Sequence, residues 1–129
     1  MKKRSLPKPT EAELSILRVL WQHGPSTVRQ VYERLKSQPP GRYTTVLKLM
    51  QIMVEKGLVI RDDSERSHVY QATLAEEETQ RQLVGHLLER AFFGSAPKLV
   101  LQALSAKRAT PEDLAEIRRL LDQIEKGNS

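Results

Sequence analysis

Cysteine is missing from all 129 residues, and aromatic side chains make up only 5% of them. The first absence excludes disulfides and thiolate metal sites. The second leaves little material for an aromatic-lined ligand pocket. No apolar run approaches the ~20 residues needed to span a bilayer. The N-terminus, Met1-Lys2-Lys3-Arg4-Ser5, is basic but has no hydrophobic segment behind it. It is therefore not a secretory signal, and the chain is expected in the cytoplasm. There is no Gly-rich phosphate loop and no cluster of His with carboxylates. His23, His68 and His86 fall on separate expected elements, each at the surface or in packing. No catalysis, no metal and no cofactor are expected.

What is present is charge of one sign in one place. Charged residues make up 29% of the chain, with a net charge of +5 and a pI near 9.7. Residues 1–73 hold 13 Lys+Arg against 7 Asp+Glu, a balance of +6, whereas residues 74–129 hold 8 against 9, a balance of −1. A positive field confined to one part of a chain points to an anionic polymer or surface as partner.

Residues 42–59 sit inside that part. Val46, Leu49, Met50 and Met53 recur at i, i+3, i+4 and i+7, so a helix with one apolar stripe is expected. Gly57 suits a left-handed stop after Lys56. The opposite face carries Thr44, Lys48, Gln51 and Glu55, with Arg42, Tyr43 and Thr45 at the start. Such a helix can enter a DNA major groove, although an amphipathic helix with a solvated polar face reads the same way.

The surrounding elements bear on that choice. Thr10 and Glu13 have the spacing of a capping box. Leu14, Ile16, Leu17, Leu20 and Trp21 then form an apolar helix face, which Gly24-Pro25 ends. Ser26 or Thr27 caps a second helix, with Val28, Val31 and Leu35 on its inner side. Residues 37–41 form a turn into the third helix. Three short helices of this kind make a helix-turn-helix core. Residues 58–61 and 68–72 are strand-like and flank a polar turn at 62–67, giving a β-hairpin and hence a winged helix.

Past Leu74 the character changes. Glu76, Glu77 and Glu78 favour a helix start. An apolar stripe of Leu83, Val84, Leu87, Leu88, Ala91 and Phe92 follows. Phe93-Gly94 ends that helix, and Ser95 caps another carrying Leu99, Val100, Leu101 and Leu104. Thr110, Pro111, Glu112 and Asp113 open a last helix lined by Leu114, Ile117, Leu120, Leu121 and Ile124. So small a segment cannot bury this much apolar surface alone. A twofold homodimer buries the surplus and sets two recognition helices about one DNA turn, ~34 Å, or a multiple apart. Folding back on the first domain is the alternative. The expected architecture is mainly α with a small β-hairpin. A flexible basic arm occupies 1–9, a winged helix-turn-helix domain 10–73, and an α-helical dimerisation domain 74–129.

The sequence resembles transcriptional repressors of the BlaI/MecI type, the penicillinase-repressor family. The likeness rests on Thr10-Glu-Ala-Glu13, Ile16-Leu17 and Leu20-Trp21, then Thr27-Val-Arg-Gln-Val-Tyr32. It continues through Tyr43-Thr-Thr-Val46, Lys56-Gly57-Leu58, Val69-Tyr70, Phe92-Phe-Gly-Ser95 and Leu99-Val100-Leu101. The resemblance implies a homodimer on a palindromic operator that blocks transcription. It also implies release by cleavage in the second domain, triggered by a membrane metalloprotease that senses a β-lactam. The family's cleaved bond is typically Asn-Phe after a Leu-Val-Leu-like run, whereas Gln102-Ala103 stands here. A copper-sensing branch with a C-terminal cysteine cluster is excluded by the absence of cysteine.

The expected DNA-binding set is Ser26, Thr27, Arg29, Arg42, Tyr43, Thr44, Thr45, Lys48, Gln51, Arg61, Arg66 and Ser67. Arginines and Lys48 would neutralise phosphates, and the hydroxyls would fix register. Lys48 could donate to guanine and Gln51 to adenine, while Thr44 or Thr45 could touch a thymine methyl. Arg42 either grips phosphate or caps its turn. Arg66 either reaches DNA or forms an ion pair within the wing. The expected dimerisation set is Leu83, Leu87, Leu88, Phe92, Phe93, Leu99, Val100, Leu104, Leu114, Ile117, Leu121 and Ile124. Two other readings stay open: a winged-helix adaptor that binds protein, and a repressor released by a small molecule.

Overall fold

A computed structural model describes residues 6–106 and 109–127. Most of the expected basic arm, and Lys107 and Arg108, lie outside them. The chain runs α1 (Glu11–His23), α2 (Val28–Leu35), α3 (Tyr43–Lys56), β1 (Val59–Asp62), β2 (Val69–Ala72), α4 (Glu76–Ala91), α5 (Ala96–Ala106) and α6 (Pro111–Gly127). This is the mainly helical architecture with one small hairpin that the sequence led us to expect. None of the described helices is long and apolar enough to cross a membrane.

Local chemistry sets the ends of these helices. Thr10 and Glu13 form a reciprocal capping box on α1, and Thr27 and Gln30 form another on α2, so Thr27 rather than Ser26 is the cap. At the end of α3, Gly57 takes φ 83°, and the Leu58 N–H reaches back to the Met53 carbonyl at 2.9 Å. Thr110 and Asp113 exchange side-chain and backbone hydrogen bonds at the start of α6. Ser95 receives the Lys98 N–H at the start of α5. Phe93, ahead of it, sits at φ 50°, a conformation unusual for a residue with a side chain.

Two compact units divide the chain, 1–84 and 85–129. The first has an apolar core. Ile16, Leu17 and Leu20 of α1, Val28, Val31 and Leu35 of α2, and Val46, Met50 and Met53 of α3 are all buried, with Leu58, Val59 and Tyr70 of the hairpin. Leu49 of the expected α3 stripe is only half-buried, because the buried face runs through Val46, Met50 and Met53. β1 and β2 pair antiparallel from Val59↔Ala72 to Asp62↔Val69. Ser26 adds an isolated bridge, with backbone bonds of 3.0 and 2.8 Å to Tyr70, and so fastens the wing to the entrance of α2.

The division falls inside α4, later than the expected start of the helical domain at 74. The reason is packing at the front of that helix. Thr79 is buried, the Trp21 indole donates to the Leu74 carbonyl at 2.9 Å, and Gln82 donates to the Leu6 carbonyl. Leu83, placed by sequence in the dimerisation set, therefore lies in the first unit and lines a shallow cleft with Leu14 and Trp21.

The second unit is built differently. Among its described residues none is buried. Leu87 and Val100 are about half exposed, Leu101, Leu121 and Ile124 more so, and Phe93 reaches 90%. Leu88, Phe92, Leu99, Leu104, Leu114 and Ile117 are partly covered.

Candidate nucleic-acid interface

Helix α3 is held from both ends. At its C-terminal end Lys56 donates to Glu13 Oε2 at 2.8 Å, while Glu13 Oε1 accepts the Thr10 N–H at 2.9 Å. The Glu13 side chain is 2% exposed. Burial alone would push its carboxyl pKa up. The Lys56 ammonium and the Thr10 amide more than offset this, and the pKa ends below its ordinary value. The same carboxylate thus closes the α1 cap and anchors α3.

At the other end of α3, Tyr43 packs into an aromatic and cationic cluster. The Tyr32 and Tyr43 rings meet edge to face with centroids 5.6 Å apart and planes at 81°. The Arg29 guanidinium lies 4.7 Å from the Tyr43 centroid and 5.9 Å from that of Tyr32. Arg42 is the N-cap residue of α3 but makes no side-chain capping bond, so its guanidinium remains exposed. Thr44, Thr45, Lys48 and Gln51 are exposed as well, with Thr44, Lys48 and Gln51 in one row along the helix.

The two wing arginines differ. Arg61 Nε lies 2.8 Å from Asp63 Oδ1. Its contact with Tyr70 first, and with Asp63 second, raises its pKa. Asp63 is also 3.6 Å from His68 Nδ1. Asp62 instead caps the turn through the Ser64 N–H, which lowers its own pKa. Arg66 has no carboxylate partner among the described residues, so the ion pair that was an alternative for it forms at Arg61. Arg66 and Ser67 line a cavity of about 240 Å³ with Thr27, Arg29 and Tyr43.

Not every expected contact residue reaches the surface. Ser26 is 5% exposed and donates its hydroxyl to the Gly24 carbonyl at 2.8 Å. It fixes the loop between α1 and α2 and offers nothing outward. Thr27 accepts from the Gln30 N–H as a cap, which leaves its hydroxyl proton free to donate. Tyr32 was absent from the expected set although it sits three residues after Arg29 on α2, the spacing at which helix neighbours touch. Gln102 and Ala103 are exposed, and both lie within helix α5. Among the described residues no group of His, Cys, Asp or Glu is arranged to hold a metal.

The chain is similar to known proteins. The transcriptional regulator BlaI of Mycobacterium tuberculosis is 28% identical over 119 residues, covering 92% of this chain and 86% of that protein. The penicillinase repressor of Bacillus licheniformis is 23% identical over 120 residues, covering 93% and 94%. Among solved structures, the DNA-binding domain of the repressor BlaI aligns at TM-score 0.51 and 21% identity, covering 59% of this chain and 93% of that one. At that identity the structural match speaks for the fold. The profile of the penicillinase repressors matches residues 9–123, almost the whole described chain. This chain belongs to the penicillinase repressor family.

Proposed function

We propose that the chain is a transcriptional repressor that docks α3 in the major groove of an operator and works as a homodimer in the cytoplasm. The observation that carries the reading is the surface around α3. An exposed row of Thr44, Lys48 and Gln51 stands beside Arg29, Arg42 and Arg66, none of which has a carboxylate partner among the described residues. Cations left free at the start of a recognition helix suit phosphates, and the row suits base edges. A protein-binding adaptor would need no such field. The expected contact set narrows to Thr27, Arg29, Arg42, Tyr43, Thr44, Thr45, Lys48, Gln51, Arg66 and Ser67. Arg61 would first have to leave Asp63.

The second unit supports the dimer. A 45-residue unit without a buried side chain among those described cannot hold itself together by burial. A second copy would cover Leu87, Phe93, Val100, Leu121 and Ile124 together. Release by a membrane metalloprotease belongs to the same reading as its final step. It carries a structural condition, because Gln102-Ala103 lies within a helix and proteases prefer exposed loops. Cleavage there requires α5 to unwind locally.

The test is selection from a pool of random duplexes at fixed salt. The expected result is an inverted repeat with half-sites one DNA turn, ~10 bp, or a multiple apart. Enrichment of no sequence, or binding that ignores ionic strength, would overturn the proposal.

A further inference from the structure

The cavity shared by α2, α3 and the wing has a composition that the DNA-binding reading does not by itself require. Its α2 wall carries Thr27 and Arg29, its α3 wall Tyr43, and its wing wall Arg66, Ser67 and His68. No carboxylate lines it. Among the wing's acids, Asp63 is occupied by Arg61 at 2.8 Å and also approaches His68 Nδ1, while Asp62 accepts the Ser64 N–H. At about 240 Å³ the space is smaller than the ~300–1,000 Å³ of sites that enclose a drug-sized molecule. Val28, Leu47 and Tyr70 complete its lining, and a backbone phosphate fits within it with room to spare.

The two arginines reach it from elements that the Ser26↔Tyr70 bridge ties together. Arg29 is further held by stacking on Tyr43, and Tyr43 by its edge-to-face contact with Tyr32. Tyr32 itself does not line the cavity.

We propose that Arg29 and Arg66 clasp a single backbone phosphate of the bound DNA between α2 and the wing, and that Tyr32 is the positioning residue that keeps the Arg29 guanidinium aimed at it. The inference rests on the DNA-binding reading and adds to it which phosphate contact is shared and what orients it. A guanidinium stacked on a ring keeps its N–H fork in one plane, which an ammonium cannot reproduce. Two cations on one phosphate also have a consequence that can be counted. Each phosphate neutralised contributes about 0.9 to the slope of log K against log salt.

The experiment titrates the full chain against a labelled duplex carrying the selected operator over a salt series. Wild-type binding without salt dependence would sink the DNA-binding reading itself. Given a steep wild-type slope, the Arg29→Ala, Arg66→Ala double variant should lower it by about 1.8, about 0.9 for the one phosphate in each half-site of the dimer, with each single variant lowering it by less. A fall of about 3.6 would mean two separate phosphates in each half-site, and no fall would mean none; either overturns the clasp. Arg29→Lys should weaken binding despite its retained charge, and full affinity would overturn the stacking role. Tyr32→Phe should match wild type. Tyr32→Ala should lower the slope as Arg29→Ala does and change nothing further in the Arg29→Ala background. A loss of equal size in that background would reduce Tyr32 to a packing residue.

Discussion

Lys56→Met keeps the aliphatic stem of the side chain and deletes its ammonium. Glu13, 2% exposed, then retains only its contacts with Thr10. Removing one member of a fully buried pair costs about 3–5 kcal/mol. Lys56 is 33% exposed, so water can enter where the ammonium was. That lowers the expectation to about 1–3 kcal/mol, the cost of an incompletely satisfied buried group. pH gives the sign of the effect. In the wild type the folded pKa of Glu13 lies below 4.5, so the pair's contribution is complete above about 4.5 and is lost as pH falls through the folded value. In the variant, burial remains while the principal compensation is gone. The Glu13 pKa rises, and ionising it costs stability as pH increases. The gap between the two proteins should be widest near pH 7 and should narrow toward pH 3. Urea unfolding followed by the fluorescence of Trp21, the sole tryptophan, reports on this unit, because its indole bonds to Leu74 beside the core. A gap under about 0.5 kcal/mol at pH 7, the size of an ordinary surface substitution, refutes the reasoning. So does a gap that is the same at both pH values.

Lys48→Ala should weaken binding to the selected operator about tenfold more than binding to random duplex, as expected for a lost base-edge donor. Equal losses in paired titrations would make Lys48 a phosphate contact only. Leu121→Asp or Ile124→Asp should give monomers by sedimentation at micromolar concentration, with the Trp21 unfolding curve unchanged and operator affinity down by about 100-fold or more. A variant that remains dimeric would remove these residues from the interface. Gly57→Ala forces a side chain into φ 83° and sets its Cβ 3.4 Å from the Leu6 Cδ2. It should destabilise the first unit by about 1–2 kcal/mol in the same urea assay. An unchanged midpoint would show that the α3 stop does not depend on glycine.

What the sequence reveals here tracks the range of the interaction. Capping boxes at Thr10 and Thr110, the stop at Gly57 and the stripe through Val46, Met50 and Met53 involve neighbours a few residues apart. Spacing alone exposes them. The hairpin was legible for the same reason, and its strands fall within a residue of the strand-like runs at 58–61 and 68–72. The contacts that position the candidate interface are of another kind. Lys56 finds Glu13 across 43 residues, and Trp21 finds Leu74 across 53. No local pattern distinguishes Glu13 the cap from Glu13 the anchor, because the capping role already accounts for it. Ser26 shows the converse error. A hydroxyl next to a helix start reads as a surface contact, until pairing with Tyr70 takes it inside. Arg61 and Arg66 are chemically alike in sequence, and only the fold gives Asp63 to the first.

The two units also differ in what their stability can depend on. The first closes a core of aliphatic side chains, methionine and one tyrosine within a single chain, so it is a property of the molecule at any dilution. The second leaves large apolar side chains uncovered from Leu87 to Ile124. If a second copy covers them, its folding and its dimerisation are one equilibrium, and protein concentration enters directly. A single winged helix of this size offers few phosphate contacts, and each is weakened by salt. Joining two of them makes the second binding event intramolecular, which multiplies affinity without any new contact to DNA. Operator occupancy would then depend on the apolar faces of α4, α5 and α6 as much as on Lys48 or Arg29. Any event that separates the copies would release the DNA while leaving every base-reading residue intact.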